Sequence, residues 1–599
     1  MHSTTTLKPG AIRVAAAISR ETAGSASGAR KATFALIVVL LVAWFASLEL
    51  RGLFIPDEGR YAEIPREMLD TGDWVTPRLN GLKYFDKPPM QYWLTAASFA
   101  VLGEDEWTAR LPSTLLGFLA VVMTAFTARQ LWDARAALTA GVVLGSSWAY
   151  YLSGQYLTLD IMLSAFLTFA LCAFLLAQQD DASEEQRRRW MLVAWTSCAC
   201  AVLSKGLIGI ALPSLALAAY SVVTLDFRRW RQLEIVRGMA LLLAITLPWF
   251  VLVQQRNPEF FEYFFIREQV QRFTGSDHAR LGEWWYYAPI LLLGFMPWTA
   301  LFLRQCPQWL RTCVMPATPT MIARESARIG DRPFRPLVFC MMWALVIVAF
   351  FSASQSKLPA YVIPVFPALA LMLAQRRAVD DVAGLRWSAI TLIALGGALF
   401  VATKQVGGWS KFVAVGSDGV AALPFVYAGT ASLLVAGLLA LFLLRRTRSR
   451  SRSQPPWAVL ALVVGSFSFW MCSFMFLHEV DTTFSSERLI EALTEDSKPF
   501  DASHAFYSIG QYDHSLPFYL GRTVTLVDYV GEFKLGLRAE PDKAIDTLSA
   551  FMLIWRQTNE QAYAVMSPRQ FDDFARAELP MTVVARDRRL VVVRRQSSR

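Results

Sequence analysis

Apolar runs of about 17–25 residues, long enough to cross a bilayer as helices rising 1.5 Å per residue, recur along the chain from residue 33 to residue 477. They fall near 33–50, 110–132, 135–153, 156–178, 191–204, 206–225, 235–253, 288–304, 336–353, 360–375, 386–403, 423–445 and 456–477. That makes roughly thirteen, with several short or abutting. Inside lipid a backbone must satisfy its own hydrogen bonds, so these runs are read as helices and the chain as an all-α polytopic membrane bundle. With 54% of its 599 residues hydrophobic, the chain is too apolar for a soluble protein.

A formal charge of +10 would suit a nucleic-acid binder if the basic residues formed one surface. They gather instead in alternate connections between apolar runs: Arg129 and Arg135, Arg187 to Arg189, Arg228 to Arg231, Arg304 to Arg335, Arg376 and Arg377, and R-R-T-R-S-R-S-R from Arg445. That distribution is a topology signal and excludes nucleic acid as partner. It places the basic, Ser/Thr/Ala-rich residues 1–32 in the cytoplasm as a disordered tail. A cleaved signal peptide is rejected because the run from Thr33 to Leu50 is long for one. The loops 51–109 and 254–287 and the turn Gly154 to Leu159 then face outward. An odd span count adds residues 478–599 to that side.

The membrane domain therefore runs over 33–477, and composition shifts sharply after it. Residues 478–599 alternate polar helix-like stretches (Glu487 to Asp496, Pro541 to Ser549) with β-rich runs (Thr523 to Val527, Leu590 to Val593), the pattern of a small α/β domain. Glycine-rich phosphate loops, zinc-ligand spacings and a G-x-S-x-G elbow are absent. All seven cysteines lie in apolar runs or cytoplasmic connections, which argues against a disulfide framework.

Charges at the edge of an apolar run need a task or a partner. The stretch P-D-E-G-R-Y-A-E-I-P-R-E-M from Pro56 to Met68 follows the first run directly, with a helix expected through Tyr61 to Leu69 lying at the membrane interface. Y-F-D-K-P-P follows at Tyr84 to Pro89, where the proline pair stops helix formation and fixes Lys87 in an extended turn. Ordinary interfacial solvation remains the alternative to a site.

The pattern D-E-x-R-Y-A-E-x-x-R-E-M, the G-D-W at Gly72, Y-F-D-K-P-P with Tyr92-Trp93, Q-R-F at Gln271, W-Y-Y at Trp285 and S-K-L-P-A-Y at Ser356 closely resemble the lipid A 4-amino-4-deoxy-L-arabinose transferases. These are a branch of the polyprenyl-phosphate-dependent, protein O-mannosyltransferase-like GT-C membrane glycosyltransferases. The resemblance covers most of the membrane half. It implies a GT-C bundle with an outward-facing site at the periplasmic face of a bacterial inner membrane. The implied partners are an undecaprenyl phosphate aminoarabinose donor, a lipid A acceptor and membrane lipids. The implied outcome is a less anionic outer membrane that attracts polymyxin-type cationic peptides less.

Carried onto this chain, the family's outward-facing acids are Asp57 and Asp160. For Asp160, at the start of an apolar run, a helix cap is the rival reading. A hydroxyl acceptor would need Asp57 as general base. A phosphate acceptor is already ionised, so Asp57 would then orient a substrate or hold a cation. Arg60, Lys83, Lys87, Arg272 and Lys357, with Tyr61, Tyr84 and Tyr361, could surround a lipid phosphate. Singly, each cation could equally be a snorkelling side chain. Lys205, in S-K-G-L, is open to the same two readings. Asp86 and His278 could hold a divalent cation; an ordinary loop histidine is the alternative. The sequence departs from the family at Gln269, where relatives often carry histidine. The rivals in function are another GT-C enzyme, such as a protein O-mannosyltransferase, and a lipid flippase or transporter. A transporter should carry charges midway along its spans, and these runs are almost free of them there.

Overall fold

The computed structural model describes residues 28, 30–271, 282–314, 333–375, 378–405, 416–446, 456–494, 503–558 and 560–595. Every apolar run of the sequence holds a helix or helix pair. The first forms α1 (30–45). The loop after it carries α2 (Asp57–Thr71), a tight hairpin of β1 (Arg78–Leu79) and β2 (Leu82–Lys83), and α3 (Met90–Leu102). The chain then runs through α4 (Glu106–Leu131), α5 (Ala134–Ser146), α6 (Trp148–Gly154), α7 (Leu159–Ala177), α8 (Glu184–Lys205), α9 (Ile208–Thr224) and α10 (Ile235–Arg256). A π-helical segment, Glu262–Gln271, precedes α11 (Tyr287–Gly294) and α12 (Thr299–Val314). The bundle closes with α13 (Pro336–Ala353), α14 (Phe366–Gln375), α15 (Val382–Gln405), α16 (Gly416–Arg446) and α17 (Pro456–Glu479).

Among the described residues, seven helices are long and apolar enough to cross a membrane: α4, α7, α10, α13 and the apolar stretches of α15, α16 and α17. The pair α11 and α12, bent by 116°, makes an eighth when counted as one span. The protein is thus a mostly helical polytopic bundle, with seven or eight spans of full length among the described residues and shorter apolar helices such as α5 and α9 beside them. α7 is the most enclosed, with 89% of its apolar stretch buried. Beside it α6 packs closely on α1: a methyl group on Gly154 would stand 2.5 Å from the Trp44 ring, so the position requires glycine.

The loops divide between two faces, as the arginine distribution anticipates. On one face Leu157 N–H donates to Glu58 in the first loop (3.0 Å), Lys83 pairs with Glu259 (2.8 Å), and Lys205 at the end of α8 lies 4.6 Å from the Tyr361 ring. On the other, buried Arg229 pairs with Asp226 (3.1 Å) and Asp180 (3.3 Å), Asp180 accepts from Phe334 N–H (3.1 Å), and Arg304 pairs with Asp381 (2.9 Å).

The C-terminal domain opens with α18 (Glu487–Thr494). Its six-stranded sheet is built from β3 (Ala505–Ile509), β4 (Thr525–Val527), β5 (Ala544–Ile545), β6 (Ala562–Met566), β7 (Met581–Arg586) and β8 (Val591–Arg595), in the order β5-β4-β3-β6-β8-β7. β5, β4, β3 and β6 are parallel and β8 and β7 antiparallel. The helix expected over Pro541 to Ser549 is not formed. A 3-10 turn, Pro541–Lys543, leads into edge strand β5, and a helix begins only at Leu548, because Ala544 and Ile545 pair with Leu526 and Val527.

α2 also differs from expectation. It extends over Asp57–Thr71, and Gly72 ends it in the left-handed conformation (φ +68°). Residues Tyr61 to Met68 are all buried, so the helix does not lie on a membrane surface. The C-terminal domain covers it. A methyl group on Gly59 would meet the His514 carbonyl and Ser515 nitrogen at 2.5 and 2.6 Å, so only glycine admits this backbone approach.

Candidate active site

Adjacent carboxylates at the start of α2 have opposite surroundings. Glu58 points inward, its side chain 2% exposed, and accepts from Arg110 Nε (2.9 Å), Arg51 Nη2 (3.1 Å), and the Phe54 and Leu157 N–H groups (3.0 Å each). Burial pushes its pKa up, but the Arg110 and Arg51 guanidinium groups outweigh burial and hold it well below the usual carboxylate range. Glu58 is therefore a permanently charged hub that ties the first loop to the 155–157 turn. Asp57, one residue earlier, is 56% exposed in its side chain and pairs only loosely with Arg60 (3.2 Å).

Around Asp57 the loop face gathers two polar clusters. In the first, Arg60 Nη2 pairs with Glu532 of the C-terminal domain at 2.9 Å and lies 3.3 Å from His514 Nε2, which itself contacts Glu532. The Tyr84 hydroxyl shares its one proton between Asp86 (3.0 Å) and Glu532 (3.2 Å), and Tyr263 donates to the second Asp86 oxygen (2.8 Å). Burial raises the Asp86 pKa, while Lys87 and these hydrogen bonds outweigh it and keep the carboxylate charged. Lys87 donates to the Asp86 carbonyl (2.8 Å) and lies 3.6 Å from Glu268.

In the second cluster Asp160, in the first turn of α7, pairs with Lys205 from the end of α8, and the Lys205 ammonium sits over the Tyr361 ring. Thr158 occupies the N-cap and Asp160 engages the lysine, so the cap reading of Asp160 is set aside. Tyr61 links the clusters: its hydroxyl feels Asp57, Arg60, Asp160 and Asp86 together, and its ring lies 6.3 Å from Tyr92. Asp160 and Lys205 are each 16% exposed, open enough to meet a substrate and dry enough for their charges to matter.

Of the residues expected at a site, Asp57, Arg60, Tyr61, Tyr84, Asp86, Lys87, Asp160, Lys205 and Tyr361 thus share one face. Lys83 belongs to its pair with Glu259, and Lys357 is buried with its ammonium donating to the Ser354 carbonyl (2.8 Å). Arg272 and His278 lie outside the described residues. Both Asp86 oxygens serve tyrosine hydroxyls, and among the described residues no three His, Cys, Asp or Glu side chains form a metal-binding group. Glu532, His514 and Tyr263 were not anticipated. Glu532 sits in a 3-10 turn, Gly531–Phe533, more than 400 residues from Arg60 and Tyr84, and nothing local marks it.

A cation-rich and tyrosine-rich face above a bundle of apolar helices, capped by a small mixed-sheet domain, defines a membrane protein of mannosyltransferase-like architecture. Residues 30–264 match the family model of dolichyl-phosphate-mannose-protein mannosyltransferases, and residues 493–595 match that of the aminoarabinose transferase C-terminal domain. The crystal structure of ArnT from Cupriavidus metallidurans bound to undecaprenyl phosphate superposes with a TM-score of 0.81 at 33% identity, covering 94% of this chain and 98% of that one. Its apo form gives 0.79 at 34% identity. The undecaprenyl phosphate-alpha-4-amino-4-deoxy-L-arabinose arabinosyl transferase of Erwinia tasmaniensis is 33% identical over 346 residues, 57% of this chain and 59% of that protein. That of Shewanella sediminis is 35% identical over 353 residues, 58% and 60%. The chain therefore spans about three fifths of the curated relatives it matches. It belongs to the aminoarabinose transferase (ArnT) family and is a multi-pass membrane protein.

Proposed function

We propose that the protein transfers 4-amino-4-deoxy-L-arabinose from undecaprenyl phosphate to a phosphate of lipid A, at the periplasmic face of a bacterial inner membrane. The observation that carries this reading is the joint match of the bundle and of the C-terminal domain to one family, whose solved relative binds undecaprenyl phosphate. All thirteen apolar runs cross the membrane in this reading, the shorter ones as tilted or broken spans, and the clustered face and C-terminal domain are periplasmic. The match over 493–595 favours an aminoarabinose transferase over a protein mannosyltransferase.

In the reaction an acceptor phosphate oxygen attacks the sugar's anomeric carbon as the bond to the lipid phosphate breaks, with inversion, and undecaprenyl phosphate leaves with the bonding pair. Lys205, Lys87 and Arg60, with Arg272, supply the positive charge that stabilises the departing phosphate. Tyr61, Tyr84 and Tyr361 donate hydrogen bonds or aromatic faces beside it. Because the nucleophile is already ionised, Asp57 and Asp160 orient the substrates, the exposed Asp57 being placed to meet the cationic amino group of the sugar.

The test uses purified protein in nanodiscs with lipid A and aminoarabinose-charged undecaprenyl phosphate, following lipid A mass. A gain of one aminopentose, strongly reduced in Asp57→Ala and Lys87→Ala, is expected. A wild type that binds the donor but adds nothing to lipid A overturns the acceptor assignment.

A further inference from the structure

Where α17 ends, the chain turns through a 3-10 segment, Asp481–Thr483, into α18, and this turn rests on Gly52 of the first loop. A methyl group on Gly52 would stand 2.4 Å from Glu487 Oε2, 2.5 Å from Ser485 Oγ and 2.8 Å from Asp481 Oδ2. Oxygens from three residues therefore pack together against the Gly52 backbone. Asp481 is 1% exposed. Its Oδ2 accepts one long bond from Gly52 N–H (3.3 Å), while its Oδ1 and Glu487 Oε2 are buried without a hydrogen-bond partner. The two carboxyl groups lie within hydrogen-bonding reach of each other. Ionised carboxylates only accept, so neither can satisfy the other.

Side-chain cations nearby are already engaged. Arg110 and Arg51 hold Glu58 and the Gly52 carbonyl, and Arg589 binds Asp513 and the Thr482 and Ser485 carbonyls. Such a pair is stable only when the two carboxyl groups share a proton or a cation stands between their oxygens.

We propose that Asp481, Glu487 and the Ser485 hydroxyl bind a hard divalent cation of the calcium type, which clamps the start of the C-terminal domain onto Gly52. Oxygen-only donors and irregular geometry suit Ca2+, which tolerates both. With two carboxylates and water completing the sphere, the affinity falls in the weak class of extracellular sites, ~10⁻⁴–10⁻³ M. The cation is structural and distinct from the cluster at Asp57. Its place is the seam through which the domain carrying Glu532 reaches the first loop.

The experiment takes the full-length protein, purified in detergent and stripped with chelator, and measures bound 45Ca2+ by equilibrium dialysis beside thermal stability at constant ionic strength. Expected are one saturable Ca2+ per chain and a Tm that rises with occupancy. Ser485→Ala should weaken binding severalfold, and Asp481→Asn with Glu487→Gln at least tenfold. Gly52→Ala, which puts a methyl group among the oxygens, should abolish it. Absence of saturable binding in the wild type, or unchanged binding in Ser485→Ala and in whichever further variants fold, overturns the proposal. A Tm that responds to pH and not to Ca2+ also overturns it, assigning the pair a shared proton.

Discussion

Glu58→Gln separates two readings of the acidic stretch, because Asp57 and Glu58 are neighbours in sequence and opposites in environment. Glu58 is the only anion that contacts both Arg51 and Arg110 among the described residues, and both guanidinium groups are buried. Their other acceptors are carbonyls: Leu48 (2.7 Å), Arg51 (2.9 Å) and Gly52 (2.8 Å) for Arg110, and Gln155 (2.9 Å) for Arg51. Glutamine keeps the shape but leaves two buried positive charges uncompensated, a change that costs ~3–5 kcal/mol. In a chain of this size that is a fall in Tm of about 2–4 °C, read by a thiol-independent dye or by loss of monodisperse protein on heating. Asp57→Asn breaks an exposed pair worth ~0–1 kcal/mol and should leave Tm unchanged while activity falls. The folded-state pKa of Glu58 is depressed, so its stabilisation is present above the ordinary glutamate range and is lost only as pH falls through the lower folded value. Between pH 5 and 9 the Glu58→Gln deficit should therefore stay constant. A Glu58→Gln protein with wild-type Tm and no activity would refute the hub and make Glu58 a catalytic acid.

Further outcomes follow from the same contacts. Lys205→Ala should lower transfer ~10²–10³-fold, the scale of losing a preorganised charge beside a leaving group, with Tm nearly unchanged, in the mass assay above. Gly59→Ala should detach the C-terminal domain from α2, because the new methyl meets backbone at 2.5 Å; limited proteolysis at the 480–500 junction should become faster. Glu67, buried beside Glu63, has its carboxyl raised to about 8, first by burial and then by Glu63. A raised acid favours the fold below the unfolded value and loses that advantage as pH rises towards the folded one. Glu67→Gln should therefore be more stable than wild type at pH 8, and the gap should close towards pH 4.5 in a Tm series. Glu532→Gln should reduce transfer about tenfold with the fold intact, by loosening Arg60 from its 2.9 Å partner.

Local periodicity and charge made the bundle legible. Hydrophobic runs must become helices in lipid, and arginine clusters mark one face, so both the helices and the loops that meet at Asp57 could be read from the chain. Helix length was less accessible, because an enclosed helix such as α5 need not span a full bilayer on its own. The burial of α2 could not be read at all. Its apolar face looked like a membrane-lying stripe until the C-terminal domain supplied the covering surface through Gly59. The 541–549 segment has helix-compatible residues, but edge pairing with β4 outweighs that weak preference. Glu532 escaped for the same reason as the α2 cover: its role depends on a contact 472 residues from Arg60 in sequence, and a single glutamate in a polar turn carries no local signature.

The arrangement also gives the C-terminal domain a task beside the helical bundle. Arg60 begins one turn into α2, beside the exposed Asp57, and a guanidinium there would swing freely without a second anion to fix it. Glu532 and His514 hold it from above, while Tyr84, held by the same Glu532, fixes the loop that carries Asp86 and Lys87. The domain thus sets the spacing between two cationic groups that come from different parts of the first loop. Lys205 and Asp160, by contrast, are fixed by the ends of packed helices and need no such brace. Perturbing the domain seam should therefore change how the first loop meets its substrates and leave the Asp160–Lys205 pair as it is. Gly59→Ala and Lys205→Ala should accordingly differ in kind: the first raises KM for both lipids with partial kcat, and the second lowers kcat with the domain still docked.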